Sequence, residues 1–156
     1  MAVRPIIAAV VLHDLPELTE IAFAAKRHWG YPPEWMELWR DELTASPAQA
    51  ASGWAFAARL DGVIVGWCAL ELTPPAAEIT ACWVRPSHIG RGVGSELLDH
   101  ALPKAELAGI HEVTALADPN AEEFYRRRGF ERIGREESSP PGRHLPLMRL
   151  VLIRRA

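Results

Sequence analysis

The sequence predicts one α/β domain over residues 1–156, built on a mixed sheet of about seven strands flanked by helices. Three observations carry that expectation. A chain of 156 residues has the length of one domain with a core able to fold unaided. Apolar residues make 49% and charged residues 24%, the proportions of a globular chain and not of a disordered or fibrous one. Segments of strand character alternate with segments of helical period, beginning and ending in strands, and the 13 prolines and 11 glycines fall mostly between the apolar runs.

Val3 to Ala9 is rich in β-branched residues and reads as the first strand. Asp14-Leu15-Pro16-Glu17 sets an N-cap aspartate, a first-turn proline and an early acid in succession, which starts a helix running to about His28. Gly30-Tyr31-Pro32-Pro33 breaks it. Trp35, Leu38, Trp39 and Leu43 then recur at helical spacing over a second helix from Glu34 to Leu43, and Ser46 to Gly53 reads as a loop. Trp54 to Leu60 and Val63 to Leu72 form a hairpin about Asp61-Gly62, because Asp-Gly supplies the positive φ angles of a two-residue turn. Pro74-Pro75 closes that strand, and Glu78 to Val84 is the next.

After Val84 a glycine-rich loop leads into an amphipathic helix with Leu97, Leu98, Ala101, Leu102 and Ala105 on one face. Pro103 inside it removes a backbone hydrogen bond, which predicts a kink or an early end. Ile110 to Ala117 is a strand, Asn120 to Arg128 a helix ended by Gly129, and Phe130 to Arg135 and Leu145 to Ile153 are the last two strands. If strands 63–72 and 78–84 pair antiparallel about Pro75, residues whose numbers sum to 150 face each other. Cys68 is then expected beside Cys82, both as free core thiols.

Several classes are disfavoured by composition. Seventeen basic and twenty acidic side chains leave a net charge of −3, which gives no general attraction to nucleic acid. The apolar run Ile6 to Leu12 is far short of the ~18 residues of a membrane span, and acids follow it before any cleavage pattern, so neither a membrane anchor nor a signal peptide is expected. Two cysteines cannot build a disulfide scaffold, which fits a reducing cytoplasm, and the six histidines show no paired ligand spacing, so no metal site is expected.

The order strand, loop with glycines at 90, 92 and 94, then helix exposes backbone N–H groups beside a helix dipole, which suits a phosphate or pyrophosphate. Side chains there would hold an anion away from the amides, and Arg91 adds charge at the rim. The plainer alternative is a tight strand-to-helix turn. The pattern is neither the dinucleotide fingerprint nor a P-loop, and it follows four strands instead of one, which fits a nucleotide-dependent oxidoreductase poorly.

Val84-Arg85-Pro86, with Gly90-Arg91-Gly92-Val93-Gly94 leading into Leu97-Leu98, resembles the cofactor motif of the GNAT family of N-acetyltransferases. Asp118-Pro119-Asn120-Ala121, through Phe124-Tyr125 to Gly129-Phe130, resembles its downstream motif, and the element order matches along nearly the whole chain. His28-Trp29-Gly30-Tyr31 and residues 141–148 look like a bacterial, small-molecule-type subgroup. The resemblance implies a single-domain fold with a mostly antiparallel sheet, and acetyl-CoA bound between two parallel strands, 78–84 and 110–117, that splay apart. It places the pyrophosphate on the amides of Ile89, Gly90, Arg91, Gly92, Val93 and Gly94, with Ser95 adjoining. Ile89 stands where the family usually has Gln or Arg, so backbone amides carry the contact.

By the same resemblance, Tyr125 is the general acid toward the coenzyme A sulfur, Glu78 the candidate base, backbone near Val84 the oxyanion donor, and Asn120 a cofactor contact. The plainer alternatives are a packed tyrosine, a solvated glutamate and a helix-capping asparagine. Trp35 and Trp39, four residues apart, read as core, whereas Trp29 and Tyr31 are candidates for a substrate wall. Arg126-Arg127-Arg128 reads as a solvated helix end or a contact for the 3′-phosphate, and Arg143 as an acceptor contact or a surface salt bridge. The expected activity is acetyl transfer by direct attack of an amine, on a small molecule or peptide, with a homodimer compatible. An acyl-CoA-binding sensor without turnover is the alternative.

Overall fold

The computed structural model describes residues 4–152, so Val3 and Ile153 lie outside the described residues. Seven strands, β1 (Ile6–Ala9), β2 (Ala55–Leu60), β3 (Val63–Thr73), β4 (Ala76–Val84), β5 (Glu112–Leu116), β6 (Glu131–Glu137) and β7 (His144–Val151), form a sheet in the order β1-β2-β3-β4-β5-β7-β6. Pairing is antiparallel for β1 with β2, β2 with β3, β5 with β7 and β6 with β7. β4 and β5 pair in parallel, as expected. The helices are α1 (Leu15–Arg27), α2 (Pro33–Leu38), α3 (Arg40–Leu43), α4 (Pro47–Ser52), α5 (Val93–Leu107) and α6 (Glu122–Arg127).

The chain divides into two compact units. The first takes residues through Ala69 together with Ala81–Ala101. Here α1 buries Leu18, Ile21, Ala22 and Ala25, one stripe at helical spacing, and Gly30 at φ +80° ends the turn that follows. Trp39 and Trp67 are fully buried in the same cluster, and the Trp67 indole N–H donates to the Leu18 carbonyl at 2.9 Å, so its one polar atom is satisfied. Asp14 stands at the N-cap position of α1 without making the cap bond. Its carboxylate accepts from the Val11 N–H at 3.0 Å and from Arg59 at 2.7 Å, because the β2 guanidinium is the stronger partner.

The expected 34–43 helix is two short ones. Trp39, its indole sunk in the core, takes φ −94° and ψ 6° between them. The expected 46–53 loop is instead α4: the Ser46 hydroxyl accepts from the Gln49 N–H at 3.2 Å while the Gln49 side chain accepts from the Ser46 N–H at 2.8 Å, a capping box on an alanine-rich turn. Asp61 at φ 51° and Gly62 at φ 80° make the expected hairpin turn. The Arg85 N–H donates to the Val65 carbonyl at 2.8 Å, a pair whose numbers sum to 150. Cys68 and Cys82 are free thiols, but only Cys68 is buried in the core and Cys82 is half-buried; burial, then the nearby Cys82, pushes the Cys68 thiol well above its ordinary range.

The second unit comprises Leu70–Thr80 and the chain from Leu102. In it β4 pairs with β5 from Ala76↔Glu112 to Ile79↔Ala115, and β4 runs on past the last pair to Val84. Gly129 at φ 92° ends α6, with the Phe130 N–H returning to the Tyr125 carbonyl at 3.0 Å. All seven residues of β6 are exposed, and its register with β7 breaks between Arg132 and Gly134. Helix α5 does not end at Pro103 but continues to Leu107, since Leu102 and Ala105 on either side are buried and the proline itself is exposed. No helix among the described residues is long and apolar enough to cross a membrane.

Candidate functional site

In the first unit the chain leaves β4 at Val84, makes a short 3₁₀ turn over Pro86–His88 and enters α5 at Val93. Gly90 at φ +81° and Gly92 at φ +85° adopt a backbone closed to most side chains, and a Cβ built on either meets nothing within 4 Å. Within the loop the Ile89 N–H donates to the Pro86 carbonyl at 3.4 Å and the Arg91 N–H to the His88 carbonyl at 3.3 Å, so these two expected anion donors are engaged by the turn itself. The first intrahelical bond of α5 runs from the Glu96 N–H to the Gly92 carbonyl at 3.0 Å, so the amides of Val93, Gly94 and Ser95 precede the helix ladder and are available to an anion. Ile89 and Arg91 are exposed on the same loop.

Two residues outside the sequence-derived site set this loop in place. Arg85 turns back from it: its Nε donates to the Ile64 carbonyl at 2.7 Å and its guanidinium meets Glu17 at 3.2 Å and Glu20 at 3.8 Å on α1. Gly66, inside β3, lets the neighbours close in, for a Cβ there would lie 2.9 Å from the Trp83 carbonyl and 2.9 Å from Val93 at the start of α5. An isolated glycine within a strand run is the signal that could have found it.

The aromatic residues after α1 gather around a cation. Tyr31 stacks on Trp35 with ring centres 6.0 Å apart and meets Trp39 edge-on at 4.9 Å. The buried Lys26 ammonium lies 4.6 Å from the Trp39 ring centre, 5.3 Å from Tyr31 and 5.8 Å from Trp83. Trp39 is core as expected, Trp35 and Tyr31 are half-buried against it, and Trp29 is 41% exposed.

In the second unit Glu78 is the third residue of β4, exposed, and paired in register with Thr114. Its carboxyl is held above the ordinary glutamate range, first by partial loss of water, then by the charges of Glu71 and Glu136. Tyr125 is buried, with its ring edge-on to Phe124 and Phe130. Asn120 is not a helix cap but lies inside a 3₁₀ turn over Pro119–Ala121 that leads into α6. Asp118 caps that turn: its Oδ1 accepts from the Asn120 N–H at 2.8 Å and from Nδ2 at 2.9 Å. Nor is the Arg143 ion pair a surface one, since its side chain is 10% exposed against 6% for its partner Asp118. Arg126 and Arg127 pair along α6 with Glu122 and Glu123, as a solvated helix end would.

This architecture is that of N-acetyltransferases of known structure. The chain is similar to a GCN5-related N-acetyltransferase from Rhodopseudomonas palustris, at 27% identity over 97% of this chain and 98% of that one, with TM-score 0.78. PaiA N-acetyltransferase from Thermoplasma acidophilum, solved with coenzyme A, shares the fold at 19% identity over 96% and 99% of the two chains, TM-score 0.76. So does YncA from Salmonella typhimurium, solved with acetyl-CoA, at 20% identity over 99% and 97%, TM-score 0.70. No curated protein matches the chain. Residues 15–130 match the model of the acetyltransferase (GNAT) family, and the chain belongs to that family.

The close approach at Gly66 yields a test. Gly66→Ala should displace the start of α5, costing ~1–3 kcal/mol of stability by overpacking. Acetyl-CoA affinity should fall with it. Thermal melting alongside calorimetric titration checks both, and an unchanged melting temperature would show that the contact is not tight.

Proposed function

We propose that the whole chain is a single N-acetyltransferase domain that moves an acetyl group from acetyl-CoA to an amine on a small molecule or peptide, by direct attack. The observation that carries this reading is the loop before α5, whose two glycines hold positive φ angles with open space where side chains would be. Backbone amides of Gly90, Gly92, Val93, Gly94 and Ser95 would hold the pyrophosphate, helped by the positive end of α5, whereas those of Ile89 and Arg91 are bonded within the loop. Ile89 brings no charge to this contact, and Arg91 remains at the rim.

Bound acetyl-CoA supplies an activated thioester carbonyl and, after attack, a sulfur that needs a proton. The residues of the chain do the rest. Glu78 takes a proton from the acceptor amine, a task favoured by a carboxyl whose pKa is raised toward working pH. A backbone N–H near Val84 would donate to the carbonyl oxygen as charge develops there. Tyr125 gives its hydroxyl proton to the sulfur, and Asn120 contacts the cofactor. Trp29 and Tyr31 form part of the acceptor wall, with the stack on Trp35 and the edge-on contact with Trp39 keeping Tyr31 in one orientation.

Gly92→Glu should set a carboxylate against the pyrophosphate and weaken acetyl-CoA binding at least ~10-fold. Calorimetry on the folded variant decides: undiminished affinity sinks the assigned cradle. Tyr125→Phe should lower kcat ~10²-fold in a thiol-release assay over an amine panel, with little change in the KM for acetyl-CoA. If kcat survives with chemistry rate-limiting, the tyrosine is packing.

The raised Glu78 carboxyl gives the pH dependence a sign. The base must be ionised, so kcat/KM falls as pH drops through the pKa of Glu78 in the free enzyme, above the ordinary ~4.3. Glu71→Gln or Glu136→Gln removes a neighbouring negative charge and should move that acid limb to lower pH. A limb that stays put in both variants rules out Glu78 as the group it reports.

A further inference from the structure

The loop joining β6 to β7 closes on itself. The Ser138 N–H donates to the Arg143 carbonyl at 2.7 Å and the Arg143 N–H to the Pro140 carbonyl at 3.1 Å. The Arg143 side chain then leaves the loop, with Nη1 donating to Ser138 Oγ at 3.3 Å and Nη2 to Asp118 Oδ2 at 3.4 Å. The other oxygen of Asp118 holds the backbone N–H and the side-chain amide of Asn120. One carboxylate thus joins the β6–β7 loop to the turn that opens α6, the short helix carrying Tyr125.

Both charged side chains are about nine-tenths buried, at 10% and 6% exposure. In such surroundings an ion pair fixes geometry, and removing one partner leaves the other free to reorient toward water. Without the guanidinium the carboxylate loses the contact that draws Oδ2 toward the β6–β7 loop. Its bonds to Asn120 would loosen first.

We infer that Arg143 is a positioning residue, which acts through Asp118 to fix Asn120 and the helix carrying Tyr125, and does not contact the acceptor. Its catalytic consequence rests on the acetyl-transfer reading; the coupling itself does not. Arg143→Met should lower kcat ~10-fold while leaving the acceptor KM within about two-fold, because misplacing a catalytic group slows chemistry without weakening acceptor binding. The same change should have little further effect in a Tyr125→Phe background, since the two residues lie on one route. Arg143→Lys, which keeps the charge but not the fork, should recover part of the loss and serves as the readable variant if Arg143→Met fails to fold.

Amide exchange of Asn120, followed by NMR, supplies a readout free of any ligand. It should quicken several-fold in the Arg143 variants while the β5–β7 ladder keeps its protection. Unchanged exchange at Asn120 in a folded variant overturns the inference, as does a raised acceptor KM with kcat intact. If the native protein releases no thiol with any amine, the acetyl-transfer reading fails, and the Asn120 exchange still decides the coupling.

Discussion

The absence of a side chain at position 66 is the constraint on which the loop before α5 depends. The Trp83 carbonyl and Val93 both come to where a methyl would stand, so β4 and the first turn of α5 are seated on the backbone of β3. Interiors are close-packed, and such an approach cannot be regained by small shifts elsewhere. Arg85 completes the arrangement by returning its side chain to the Ile64 carbonyl and to α1, away from the loop. The glycines at 90 and 92 are then free to serve the amides, because the loop's two ends are already held.

The candidate catalytic groups of the second unit are supported differently. Tyr125 depends on ring contacts and on a short helix that cannot stand alone at six residues. What opens that helix is the Asp118 turn, so a buried carboxylate, and not helix propensity, determines where the tyrosine lies. Glu78 is the opposite case, since it sits on a paired strand and only its proton affinity is adjusted, by lost water and two neighbouring carboxylates.

Much of this was legible in the sequence, and the misses have identifiable causes. Asp61-Gly62 located the hairpin because only positive φ angles fit a two-residue turn, and the glycine-rich loop was located because three glycines follow an apolar strand. Helix α4 announces itself only by the capping box of Ser46 and Gln49, since no apolar stripe accompanies it. Pro103 does not end α5, because one lost hydrogen bond counts for less than a buried face that continues on both sides of it. Partners across the fold left no such trace. That Asp118 would cap the turn in place of Asn120 was readable from Asp-Pro-Asn, but that Arg143 would be buried against it was not, because 25 residues separate them.

The outermost strands have a consequence for the behaviour of the protein at high concentration. Open edges of a sheet invite strand addition and aggregation. β1 offers only four residues for it, and β6 bears Glu131, Arg132, Arg135, Glu136 and Glu137, exposed on both faces, with its ladder interrupted beside Ile133. An incoming strand at β6 would have to desolvate charges of both signs and match an irregular register. Charge and a bulge at one end, and brevity at the other, protect an open seven-stranded sheet from polymerising.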